Sequence, residues 1–168
     1  MKRWLYLLFL GLAKALPLAA GPAVPLATVD LFVATDCPIA NGYAPEIERL
    51  HQTYQAKRIS FRLVFPDRDL TEETVRRHLA DYGLTLPFTI DRDHALVKRA
   101  SATTTPEAVI FDPEGRVLYQ GRIDNRYSDL GDRRGTVTEF YLRDALDAIL
   151  AGKKPSVART EAIGCLIE

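Results

Sequence analysis

The sequence predicts a single α/β domain, a central mixed sheet with helices on both faces, and it does so on three grounds. Short apolar, β-branched runs alternate with stretches whose apolar residues recur at three- and four-residue steps, the pattern of strands joined by amphipathic helices. The length of 168 residues is enough for one well-buried core and short for two. The 47 % of hydrophobic and 26 % of charged residues are ordinary for a soluble globular chain. Lys plus Arg equals Asp plus Glu at 22 each, so no net field draws the chain to nucleic acid or an anionic surface.

Each element has its own signal. Thr28–Ala34 reads as a buried strand and runs into Thr35-Asp36-Cys37-Pro38. Ile39, Tyr43, Ile47, Leu50 and Tyr54 then mark one face of a helix, with Pro38 in the first turn, where its missing N–H costs nothing. Pro45, inside that helix, is expected to kink it. Ile59–Phe65 reads as a second strand, and Thr71-Glu72-Glu73-Thr74 opens a helix that runs through Val75, Leu79 and Tyr82 and stops at Gly83. A strand–helix insert follows, with Pro87–Asp91 extended and His94–Ala100 helical. Pro106–Asp112 and Arg116–Gln120 are predicted as a hairpin about the turn Pro113-Glu114-Gly115. After a polar stretch from Arg122 to Gly135, apolar residues from Val137 to Leu150 mark a closing helix that ends at Gly152.

The two ends differ from this body. Lys2 and Arg3 precede the apolar run Trp4–Ala13, and small residues cluster at Ala19, Ala20, Gly21 and Ala23. That is the order of a secretory leader, too short for a comfortable membrane span; an uncleaved anchor is the alternative. The predicted organisation is a leader or anchor over 1–23, a domain over 27–152, and a tail over 153–168 that docks on the domain through Ile163, Leu166 and Ile167. The predicted location is periplasmic or otherwise outside the cytoplasm.

The only two cysteines are Cys37 and Cys165. An even pair in an exported chain suggests a disulfide, and with no histidine cluster beside them it suggests no zinc site; no cofactor is called for. Cys37 sits where a strand meets a helix. Ligands collect at the carboxyl ends of such strands, and a helix N-terminus favours a thiolate, the nucleophile of disulfide exchange and peroxide reduction. The neighbouring Asp36 works against that charge. Thr105-Pro106 at the mouth of a buried strand reads either as an edge-strand feature or as a cis peptide in a tight turn. His51, His78 and His94 are dispersed and expected to face solvent.

Strand–Cys37-Pro38–helix, Pro45 in that same helix and Thr105-Pro106 before a hairpin together resemble the thioredoxin superfamily. The run from Cys37 to Ile47, with Thr105-Pro106-Glu107-Ala108 and Gly121–Arg126, is similar to bacterial redoxin-domain proteins of the AhpC/TSA and TlpA-like groups. The resemblance spans about Thr28 to Glu168. It implies a thioredoxin-like fold with Cys37 as nucleophile and Pro106 as the cis-proline facing it. Ala40 stands where a second active-site cysteine would fall, so no dithiol closes within the first helical turn. The peroxiredoxin pattern also departs, since Thr35 lies two residues before Cys37 and no proline lies between Leu26 and Cys37.

Disulfide exchange with protein thiols or disulfides is therefore the leading expectation, with Cys165 as resolving partner. Thiol peroxidase chemistry at Cys37 is the rival, and a non-enzymatic module holding a metal or partner is a third. Copper binding of the kind this fold supports calls for two close cysteines and a histidine, and that loop holds only Cys37. Cys165 can equally be a structural clamp, worth up to ~4–5 kcal/mol through chain entropy, or a free thiol. Arg126 either lies near Cys37 to steady a thiolate or belongs to a solvated ion-pair network with its neighbours.

Overall fold

The computed structural model describes residues 24–168, so the leader predicted over 1–23 lies outside it. β1 (Ala27–Phe32) leads into α1 (Pro38–Tyr54), then β2 (Ile59–Phe65), α2 (Glu72–Tyr82), β3 (Phe88–Ile90) and α3 (Ala95–Ala100). β4 (Thr104–Thr105), β5 (Glu107–Phe111), β6 (Val117–Gly121), β7 (Tyr127–Asp129) and β8 (Asp132–Arg133) follow. α4 (Tyr141–Leu150) and β9 (Cys165–Leu166) complete the chain. The main sheet has the order β3-β2-β1-β5-β6, with β1, β2 and β3 parallel and β5 antiparallel to both of its neighbours.

Alternation along the strands sorts two faces. Val29, Leu31, Phe61, Leu63, Ile110 and Tyr119 turn toward one side and pack with Ile47 of α1, Val75 of α2 and Leu146 of α4. Phe32, Val64, Val109 and Phe111 turn to the other, where α3 and Ala102 cover them. Each fully buried aliphatic or aromatic side chain contributes about 1.5–3 kcal/mol, which is why these periodic positions decide the layering. On the second face Asp30, 1 % exposed, is held by two bonds from Arg62, at 2.9 and 2.7 Å.

Local chemistry sets several boundaries. Thr71 Oγ1 accepts from the Thr74 amide at 3.1 Å to open α2, and Gly83, at φ 65°, closes it in the left-handed region. α1 runs as one helix through Pro45, which lies on its exposed side. One expectation is corrected. α4 starts at Tyr141, not near Val137, because Asn125 Oδ1 accepts from the amides of Thr138 and Glu139 and holds that stretch out of the helix. The strand predicted over Pro106–Asp112 is β5, and the preceding Thr104–Thr105 forms a separate short strand outside the main sheet.

Candidate active site

Cys37 occupies the N-cap of α1, its backbone extended at φ −82° and ψ 110°, and its carbonyl accepts the first helical bond from the Asn41 amide at 2.9 Å. β1 delivers it there from the sheet, and Pro38 supplies a first helical residue that needs no partner for an N–H. The Cys37 side chain is completely buried, and its Sγ–H donates to the Thr105 carbonyl at 3.1 Å. Asp36 and Pro38, on either side, are exposed. The Thr105–Pro106 peptide is cis, which leaves the Thr105 carbonyl toward Cys37 and Pro106 buried behind it.

The tail arrives at the same carbonyl. β9 pairs antiparallel with β4, placing Cys165 opposite Thr105 and Leu166 opposite Thr104. Thr105 Oγ1 donates to the Cys165 carbonyl at 3.3 Å, and the Ile167 amide donates to the Thr103 carbonyl at 3.0 Å. The Cys165 thiol meets the Cys37 sulfur, and its pKa is pushed up to about 12 by burial, by that contact and by the Asp36 carboxylate. Both cysteines are free thiols here.

Upstream, backbone bonds tether the tail to the sheet edge. The Gln120 amide donates to Ala158 and the Thr160 amide to Gln120, each at 3.0 Å. Thr160 Oγ1 accepts from the Arg122 amide at 2.8 Å and lies 3.0 Å from the Tyr119 hydroxyl. Two glycines make these approaches possible. A Cβ at Gly121 would collide with Thr160, and one at Gly164 with the Thr105 carbonyl. Gly164 is outside the positive-φ glycines, so it is needed for space and not for an unusual backbone angle.

Cys165 opens onto a cleft of about 670 Å³, which Asp36, Arg68, His94, Thr105 and Ile167 also line. His94 donates from Nε2 to the Pro66 carbonyl at 2.8 Å. None of the three histidines is exposed; all are half-buried, His51 against Phe61 and His78 against Phe65 and Tyr82. Arg126 is committed elsewhere. Its guanidinium holds Asp124 at 2.8 Å, donates to the Gly42 carbonyl at 3.3 Å and lies over the Tyr43 ring at 4.5 Å. Asp124 in turn accepts from the Tyr43 hydroxyl at 2.9 Å, so the arginine braces the flank of α1 and is not hydrogen-bonded to Cys37. The thiolate-steadying placement considered for Arg126 is thus corrected in favour of the ion-pair network. Thr105 as the residue that meets both cysteines, its carbonyl accepting from the Cys37 sulfur and its hydroxyl donating to the Cys165 carbonyl, and Thr160 as the lock of the tail, were not predicted. The apolar residues of the tail were the only signal that it docks, and of the three Ile163 and Ile167 pack on the body while Leu166, 79 % exposed, does not.

A cysteine at a strand–helix junction, facing a cis-proline turn on this mixed sheet, defines a thioredoxin-fold thiol protein. Within that class the chain belongs to the redoxin family, whose model, described as Redoxin, matches residues 27–133. A hypothetical protein from Sinorhizobium meliloti is similar in structure at TM-score 0.76 and 25 % identity, over 86 % of this chain and 80 % of that one. An uncharacterized conserved protein from Geobacillus kaustophilus gives 0.73 and 26 %, over 85 % and 77 %. A secreted disulfide oxidoreductase of Mycobacterium tuberculosis shares the fold at TM-score 0.52 and 15 % identity, over 77 % of this chain and 84 % of that one. No curated protein sequence matches the chain.

Proposed function

We propose that this redoxin is an exported thiol–disulfide oxidoreductase with Cys37 as nucleophile and Cys165 as resolving partner. The observation that carries the reading is the β4–β9 register, which sets Cys165 opposite Thr105, whose carbonyl also accepts from Cys37. The Cys37 thiolate attacks a substrate disulfide, forming a mixed disulfide and expelling one substrate thiolate. Cys165 then attacks the Cys37 sulfur, its proton passing to the second substrate thiolate as that leaves. The net change is one substrate disulfide reduced to two thiols and one Cys37–Cys165 disulfide formed. Because Cys37 is fully buried under the docked tail, its attack requires the tail to swing aside. Pro106 and Thr105 shape the floor of the site. Export rests on the leader pattern of residues 1–23, and a secreted oxidoreductase of the same fold is in keeping with it.

The test is peptide mass mapping of the mature protein after exposure to an oxidising disulfide and again after a mild dithiol. A Cys37–Cys165 bond that forms and reopens supports the reading, and Cys37→Ser is expected to lower disulfide turnover about 100-fold or more while the domain still folds. A bond that resists mild dithiol would make the pair a structural staple, and turnover of hydroperoxide without disulfide turnover would make the protein a peroxidase.

A further inference from the structure

We infer that Cys165, not Cys37, is the sulfur at which small thiol-type nucleophiles from solution open the oxidised pair, entering through the cleft that β9 walls. This rests on the proposed redox pairing of the two cysteines and assigns its re-reduction half a different point of attack. Cys37 is 0 % exposed, roofed by the tail and by the cis-proline turn, while Cys165 is part-exposed and lines the cleft of about 670 Å³. The tail leaves Cys37 no other face, because α1 begins at that residue and β1 lies behind it.

Attack at Cys165 expels the Cys37 sulfur, which stays in the pocket it fills in the dithiol, at the N-cap of α1 and against the Thr105 carbonyl. The step balances as follows. An incoming thiolate bonds to Cys165 Sγ, the Cys37–Cys165 bond breaks, and its electron pair goes to Cys37 Sγ, which takes a proton from solvent and hydrogen-bonds to the Thr105 carbonyl as in the reduced state. A second thiolate attacks the small-molecule sulfur of the mixed disulfide from the cleft, releasing a small-molecule disulfide and the Cys165 thiolate, which takes a proton from solvent. The two halves of the cycle thus use different sulfurs and different tail positions. Substrate is attacked by Cys37 with the tail away, and reductant attacks Cys165 with the tail docked.

Sulfite provides the probe, because it cleaves a disulfide to a thiolate and a stable S-sulfonate that marks the attacked sulfur. The oxidised full-length protein is treated briefly with sulfite, quenched in acid, and digested for peptide mass mapping. The S-sulfonate is expected on Cys165 in about ten-fold or greater excess over Cys37, and in near-equal amounts when the oxidised chain is first unfolded in denaturant. Gly164→Ala, which pushes the tail off Thr105, is expected to move the folded protein's ratio toward that of the unfolded chain. A folded-state S-sulfonate equal on both residues, or mainly on Cys37, overturns the inference while leaving the redox pair intact. Failure of the chain to form a Cys37–Cys165 disulfide at all overturns the proposed function instead.

Discussion

The segment that carries Cys37 is held by the core, whereas the segment that carries Cys165 is held by backbone hydrogen bonds along an edge. Cys37 follows β1, whose Val29, Leu31 and Phe32 are fully buried, and opens α1, which buries Ile39, Ala40, Tyr43 and Ile47 within two and a half turns. Cys165 comes from a stretch with no buried side chain, fixed by the pairings at Gln120, Thr103 and Thr105 and by the hydroxyl of Thr160. Apolar burial is expensive to undo, while exposed backbone bonds open with free energies far below that of global unfolding. A sulfur held by the core thus faces one held by edge hydrogen bonds, the asymmetry on which the proposed resolving role of Cys165 rests.

Three changes break or sharpen that contrast. The largest effect is expected from Gly164→Ala, where the new Cβ collides with the Thr105 carbonyl. Displacing the tail should lower the yield of Cys37–Cys165 disulfide at limiting oxidant about ten-fold, while the thermal unfolding of the body changes by under about 1 kcal/mol. Disulfide mapping and a melting curve on one preparation test both, and a fall in the two together would mean that the tail belongs to the core.

An intermediate effect concerns pH. The Cys165 thiol stands at about 12 in the docked tail, against an ordinary value of 9.0, so docking favours the protonated form. The sign follows: docking is at full strength below pH 9 and weakens as pH rises from 9 toward 12. Iodoacetamide labelling of Cys165 in the reduced protein should stay slow through pH 9 and rise above it, along a curve displaced well above that of free cysteine. A labelling curve that overlies free cysteine would show the tail undocked. The smallest effect is expected at the tether, where Thr160→Val removes the acceptor for the Arg122 amide and the contact with Tyr119. A loss of about 1 kcal/mol in docking, read as about five-fold faster hydrogen exchange at the tail amides with little change in the body, is the expected result.

What was legible in the sequence follows the same division. Elements fixed by neighbours in the chain were readable: β2 from its apolar run, α2 from Thr71 and Gly83, and the helix after Cys37 from Pro38 and its apolar spacing. Elements fixed at long range were not. The start of α4 is decided by the Asn125 side chain, and β7 and β8 pair within a stretch that reads only as polar. The thioredoxin-like class and the redoxin family were readable from Cys37-Pro38, Pro45 and Thr105-Pro106 as a set. Where Arg126 points was not, because Asp124 two residues away competes for its guanidinium at a separation that spacing cannot rank.

The tether at Thr160 and the pairing at Cys165 also make residues 161–164 a ruler. Both ends of that interval are pinned, one on Gln120 of β6 and the other on Thr105 of β4. The interval crosses a bend at Gly164 before β9 begins, so removing one residue from it would pull the cysteine out of its register opposite Thr105. Apart from the space that Gly164 must leave open, the interval tolerates changes of identity but not of length. Under the proposed pairing, the distance between partners is encoded by counting residues along the tail and not within a single helical turn.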